Sequence, residues 1–141
     1  MSIREFPTSI KSWQMVKAAP DGNNGSSARE LACRDLPMPQ LKAGEVLVAV
    51  AGCGVCGTDL GYLHQGIPTV TRPPLVLGHE ISGTVVAGES WWLGKEVIVP
   101  TILPCRKCEL CHNGRANRCP HQKMPGNSYG RYGGFASHIP G

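Results

Sequence analysis

A chain of 141 residues is long enough for one domain that buries roughly 70% of its unfolded surface, so it needs no disulfides merely to fold. Eighteen glycines and twelve prolines, against two phenylalanines, describe short strands and turns around a modest core and argue against a helical bundle. The net charge of +4 is mild, and its one thickening, between Arg106 and Lys123, has no aromatic residues interleaved, which weighs against a nucleic-acid partner.

The N-terminal stretch "MSIREFPTSIKSWQM" has no apolar signal-peptide region, and nowhere do eighteen apolar residues run together. A cytoplasmic protein with no membrane partner is expected. Residues 12–18 ("SWQMVKA") predict a first strand and residues 20–28 ("PDGNNGSSA") a polar loop. A second strand is expected over Glu30 to Leu36, ended by "PMP". The apolar run from Val46 to Ala51 suits a strand buried on both faces. A short helix is expected around Thr58 to Leu63, and "PLVLGHEISGTVVAG" and "GKEVIVPTI" give further β-branched strands. No internal repeat or low-complexity tract is visible.

The strongest local signal is "PCRKCELCHNGRANRC", which carries Cys105, Cys108, Cys111 and Cys119. Close spacing lets a tight turn aim three sulfurs at one point, and the loop through Gly114 returns the fourth, closing a tetrahedral Cys₄ zinc site with no open position. Such a site is structural. Its four thiolates would leave a local charge of −2, which Arg106, Lys107, Arg115 and Arg118 can offset. Without a secretion signal, an odd count of seven cysteines points to metal before disulfides. The usual iron–sulfur run does not match the gap before Cys119-Pro120.

A second constellation joins "GCGVCGTD" (Gly52 to Asp59) and "GHE" (Gly78 to Glu80). Cys56 and His79, each beside a glycine at the end of an apolar strand, are by themselves compatible with a buried thiol and a satisfied histidine. Thr58 adds a hydroxyl, and Asp59 and Glu80 add carboxylates of the kind that orient a ligating imidazole. Cys53, three residues before Cys56, reads as a strand-end thiol in preference to a redox partner.

"GVCGTD", "GHEISG" and the spaced cysteines, in this order, resemble the zinc-dependent medium-chain alcohol dehydrogenases and their GroES-like catalytic domain. The resemblance runs from about Ser12 onward and implies a mainly β fold: a partly open barrel with a zinc-bound lobe at about residues 104–120 and few short helices. It implies structural zinc on Cys105, Cys108, Cys111 and Cys119. It also implies a catalytic zinc on Cys56 and His79, with Glu80 coordinating in some states. Thr58 would begin a proton relay, and Asp59 would hold His79. Gly57 and Gly61 stand where many relatives carry histidines.

Within the family, "AGCGVCGTDLGYL", "PLVLGHEISG", "WLGKEVIVPTILPC", "QKMPGN" and "GGFASHI" are similar to enzymes that oxidise 6-hydroxycyclohex-1-ene-1-carbonyl-CoA in anaerobic aromatic degradation. The resemblance thus implies a small alcohol carried on a CoA thioester, NAD as hydride acceptor, and a homo-oligomer. No dinucleotide-binding βαβ unit with a glycine-rich turn is read. Residues 1–141 are therefore expected to be the N-terminal catalytic part of a longer enzyme, with the NAD-binding Rossmann domain absent and no activity alone. The alternatives are a general zinc alcohol or polyol dehydrogenase, and a non-catalytic zinc-stabilised binding module.

Overall fold

The computed structural model describes residues 7–17 and 29–141. The loop expected over residues 20–28 lies outside the described residues. Strand β1 (Ser9–Lys17) and strand β2 (Arg29–Pro37) pair antiparallel over their full length, Ser9 opposite Pro37 and Lys17 opposite Arg29. On β1 the inward positions include the polar Ser12 and Gln14. Burial is tolerated because Ser12 Oγ donates to the Arg34 carbonyl at 2.8 Å and Gln14 Nε2 donates to Ser12 Oγ at 3.1 Å.

The remaining elements are β3 (Leu47–Gly54), α1 (Gly57–His64), β4 (Leu75–Val76), β5 (Glu80–Ala87), β6 (Glu96–Val99), α2 (Glu109–His112), a 3-10 turn (Ala116–Arg118) and β7 (His138–Pro140). They make two sheets, one ordered β2-β1-β4 and the other β6-β5-β3-β7. Residues 135–137 join the sheets. Trp13 N–H donates to the Phe135 carbonyl at 2.8 Å, and the Ser137 carbonyl accepts from Val50 N–H at 2.9 Å. The result is the expected mainly β, barrel-like wrap with few short helices.

One cluster of Val48, Ile81, Val85, Val99 and Ile139 fills the four-stranded sheet, and Met15, Tyr62, Leu75 and Leu77 fill the side under α1. A groove of about 650 Å³, lined in part by Val46, Trp92, Val97, Leu103 and Tyr129, leaves one side of the barrel open.

The apolar run over Val46 to Ala51 is not buried on both faces. Leu47 and Val48 are buried, Ala49 and Val50 are half-buried, and Ala51 is exposed. Burial falls along the strand from Leu47 to Ala51, and shifts in the β3–β5 register at Leu47/Val48 and Val50/Gly52 interrupt the regular alternation of faces. The predicted helix forms one residue longer at each end than Thr58 to Leu63. β7 and α2 were not foreseen, being three and four residues long and lacking any periodic signal. Among the described residues no helix is long and apolar enough to cross a membrane.

Candidate metal centres

The lobe around Cys105 is built by turns. Arg106 takes a left-handed backbone (φ 59°) directly after Cys105, which bends the chain so that Cys108 can open α2. Cys111 follows within that helix, Gly114 (φ 73°) reverses the chain, and the 3-10 turn delivers Cys119. Paired main-chain bonds between Leu103 and Lys123, at 2.8 and 2.9 Å, close the base of the lobe.

The sulfurs of Cys108 and Cys111 lie 3.5 Å apart, those of Cys108 and Cys119 3.8 Å, and those of Cys105 and Cys111 4.0 Å. A tetrahedron with Zn–S bonds of about 2.3 Å has edges of about 3.8 Å, so the four sulfurs fit a zinc ion. Hydrogen bonding from the Lys107 main chain pulls the Cys105 thiol down to about 6, while desolvation and the neighbouring Cys108 and Cys119 thiols push Cys111 up to about 12. The first thiolate forms readily and a later one resists. A cation among them removes that resistance. Arg106, Lys107, Arg115 and Arg118 are all exposed around this lobe.

The second cluster forms where β3 meets α1 and β4 meets β5. Cys56 has extended backbone (φ −93°, ψ 153°) immediately before α1, and its N–H donates to Asp59 Oδ2 at 3.0 Å. Asp59 Oδ1 accepts the Gly78 N–H at 3.0 Å, so a single carboxylate ties together the two chain segments that carry Cys56 and His79. His79 is 4% exposed, with Nδ1 3.5 Å from Asp59 Oδ1 and no hydrogen-bond partner for that nitrogen among the described residues. Asp59 therefore lies near His79, while its short hydrogen bonds go to the main chain. Thr101 Oγ1 donates to the His79 carbonyl at 3.0 Å and pins the residue from the far side.

Gly78 precedes His79 with φ 93°, and a side chain there would meet Cys53 Sγ at 2.8 Å and the Phe135 ring at 2.9 Å. Only glycine permits both the turn and the packing. Cys53 is half-buried beside Gly78 and Gly134, and burial raises its pKa, which suits a packed thiol.

Donor atoms of Cys56, His79 and Glu80 lie within 4.8 Å of one another, and Thr58 Oγ1 lies 3.6 Å from Cys56 Sγ. The thiolate, imidazole and carboxylate are the donor types zinc takes, and the unpartnered imidazole Nδ1 turned toward Asp59 leaves Nε2 for an ion. The residues fit the group. Every site residue singled out from the sequence thus falls into one of two clusters. The contributions of Thr101 and of the Asp59 bond to Gly78 had no sequence signal, because each joins a side chain to a main-chain position about 20 residues away, whereas the Asp59 bond to Cys56 is a local cap at the start of α1.

The stretch Gly52-Cys53-Gly54-Val55-Cys56-Gly57 spells G-x-G-x-x-G between a strand and a helix. It is not a dinucleotide turn. β3 runs antiparallel to both its neighbours, whereas that fingerprint belongs to a parallel βαβ unit.

Residues 42–140 match the family profile of the alcohol dehydrogenase GroES-like domain. An alcohol dehydrogenase of Geobacillus stearothermophilus is 37% identical over 115 residues, covering 78% of this chain and 33% of the relative. A sorbitol dehydrogenase of Bacillus subtilis is 38% identical over 113 residues, 76% of this chain and 31% of the relative. The solved structure of acetophenone reductase from Geotrichum candidum in complex with NAD superposes with a TM-score of 0.76 at 30% identity, over 96% of this chain and 38% of that one. The chain thus spans about a third of the length of the relatives it matches. With the fold, the ordered cysteines and the GHE corner in agreement, this chain belongs to the alcohol dehydrogenase GroES-like domain family.

Proposed function

We propose that this chain is the alcohol-holding part of a zinc-dependent dehydrogenase that oxidises a secondary alcohol with a nicotinamide cofactor. The observation that carries the reading is the convergence of Cys56, His79 and Glu80 within 4.8 Å, with Thr58 beside them. The alcohol, sorbitol and acetophenone enzymes among its relatives support it.

Cys56 and His79, joined in some states by Glu80, would hold zinc, whose Lewis acidity favours loss of the proton from an alcohol. Asp59 keeps His79 and Cys56 in register through its two main-chain bonds. Thr58, exposed in the first turn of α1, can take the released proton on Oγ1 and pass it to solvent. Cys105, Cys108, Cys111 and Cys119 would hold a second zinc that shapes the lobe and has no open position for substrate. NAD would be held by a Rossmann domain, and the whole enzyme would be a homo-oligomer.

For the substrate we propose a cyclic 6-hydroxy-1-enoyl-CoA thioester, supported only by segments such as "WLGKEVIVPTILPC" and "QKMPGN". A polyol or simple secondary alcohol is the second reading, favoured by the sorbitol dehydrogenase relative. The test is NADH formation by the full-length enzyme with each class of alcohol. We expect Cys56→Ser to lower kcat/KM by at least about 100-fold. A higher kcat/KM on sorbitol than on the thioester would select the second reading. Absence of NADH with every alcohol, in protein that holds zinc at both centres, would leave a zinc-stabilised binding module.

A further inference from the structure

Gly54 pairs directly with Glu80 where β3 and β5 run antiparallel. Side chains at directly opposed positions of such a ladder stand next to each other on one face, so each normally blocks the other from folding across the neighbouring strand. At this pair nothing blocks Glu80. A methyl group built on Gly54 would overlap the Glu80 Oε2 and would lie 3.2 Å from its Cβ and 3.3 Å from its Cδ. The backbone does not demand glycine here, since Gly54 is absent from the residues with positive φ. Gly52, two residues earlier on the same strand, has only Ser82 Oγ at 3.9 Å from such a methyl. The two glycines share a strand and differ in what their missing side chains make room for.

Cys56 lies two residues beyond Gly54, and the Glu80 carboxylate is one of the three donors gathered there. We infer that Gly54 is a positioning residue: by having no side chain, it lets the Glu80 carboxylate lie back across β3 and reach the Cys56 and His79 donors. The inference rests on the reading of these three residues as a metal centre. It adds a requirement on a residue that bears no donor.

The test is cobalt(II) titration of the full chain with zinc retained in the four-cysteine lobe, following the visible d–d bands, in the wild type and in Gly54→Ala, Glu80→Ala, the double variant and Gly52→Ala. Gly54→Ala should weaken cobalt binding about 10-fold and shift the bands to those of Glu80→Ala. The double variant should bind no more weakly than Glu80→Ala alone, and Gly52→Ala should match the wild type. Should Gly54→Ala lower the melting temperature, adding Glu80→Ala should restore most of the loss, because it removes the carboxylate that the new methyl overlaps and leaves only the 3.2 Å contact with Cβ. Wild-type binding and bands in Gly54→Ala, losses that add in the double variant, or a melting defect that Glu80→Ala does not relieve would each overturn the inference. Cys56→Ser and His79→Ala test the premise separately: if both bind cobalt as the wild type does, the metal reading of the site has failed, and the inference with it.

Discussion

Asp59 carries more of the second centre than its charge suggests. At 2% exposure it has lost its water, and it replaces that water with the N–H groups of Cys56 and Gly78 and the nearby His79 ring. The substitution Asp59→Asn would keep one carbonyl acceptor and turn an NH₂ group toward one of those N–H donors. It is therefore expected to destabilise the chain by about 2 kcal/mol in denaturant unfolding. A change within a few tenths of a kcal/mol would mean that the carboxylate does not bridge the two segments. Cys56 and His79 alone left only a weak pattern in the sequence, a thiol and an imidazole beside glycines, and their reading as ligands together with Glu80 came from the family resemblance of "GVCGTD" and "GHEISG". The bridging role of Asp59 was only half legible: a carboxylate three residues after Cys56 suits a helix cap, while its bond to Gly78 joins residues 19 positions apart and has no local pattern.

At the scale of elements, β-branched content and turn chemistry located most strands within a few residues, β1 beginning three residues ahead of its predicted start. Burial was harder to read, since the run over Val46 to Ala51 looks the same whether one face of a sheet is covered or both. β7 is short and forms only because β3 offers it an edge, Leu47 opposite Pro140 and Ala49 opposite His138. Desolvation at that seam lowers the His138 pKa below its ordinary 6.5. Its folded form therefore binds fewer protons than its unfolded form, so the chain loses stability as pH falls from about 6.5 toward the folded pKa and is unaffected above that window. Comparing urea midpoints of the wild type and His138→Gln across pH 5 to 8 should show a smaller acid loss in the variant; parallel curves would remove His138 from the account. In the lobe, Arg106 holds a left-handed backbone that glycine adopts freely. Arg106→Gly should stabilise the zinc-loaded protein by about 1 kcal/mol, and a drop in melting temperature would show that the turn draws on the arginine side chain instead.

For the molecule as a whole, two sheets joined through residues 135–137 hold two donor clusters of different character. One has four thiols from adjacent turns of a single loop. The other has three unlike donors from two distant segments, exposed at Thr58 and Glu80. The first was readable from local spacing, and the second needed the β3–β5 pairing that the sequence shows only as two apolar runs. The central claim is that the first cluster maintains structure and the second serves chemistry. It is tested most directly by measuring zinc that survives a chelator, together with amide hydrogen exchange over residues 104–123, in Cys108→Ser and Cys56→Ser. The account predicts that Cys108→Ser loses about one equivalent of tightly held zinc along with protection of the lobe, while Cys56→Ser keeps both. Equal loss of tightly held zinc and of lobe protection in the two variants would contradict it.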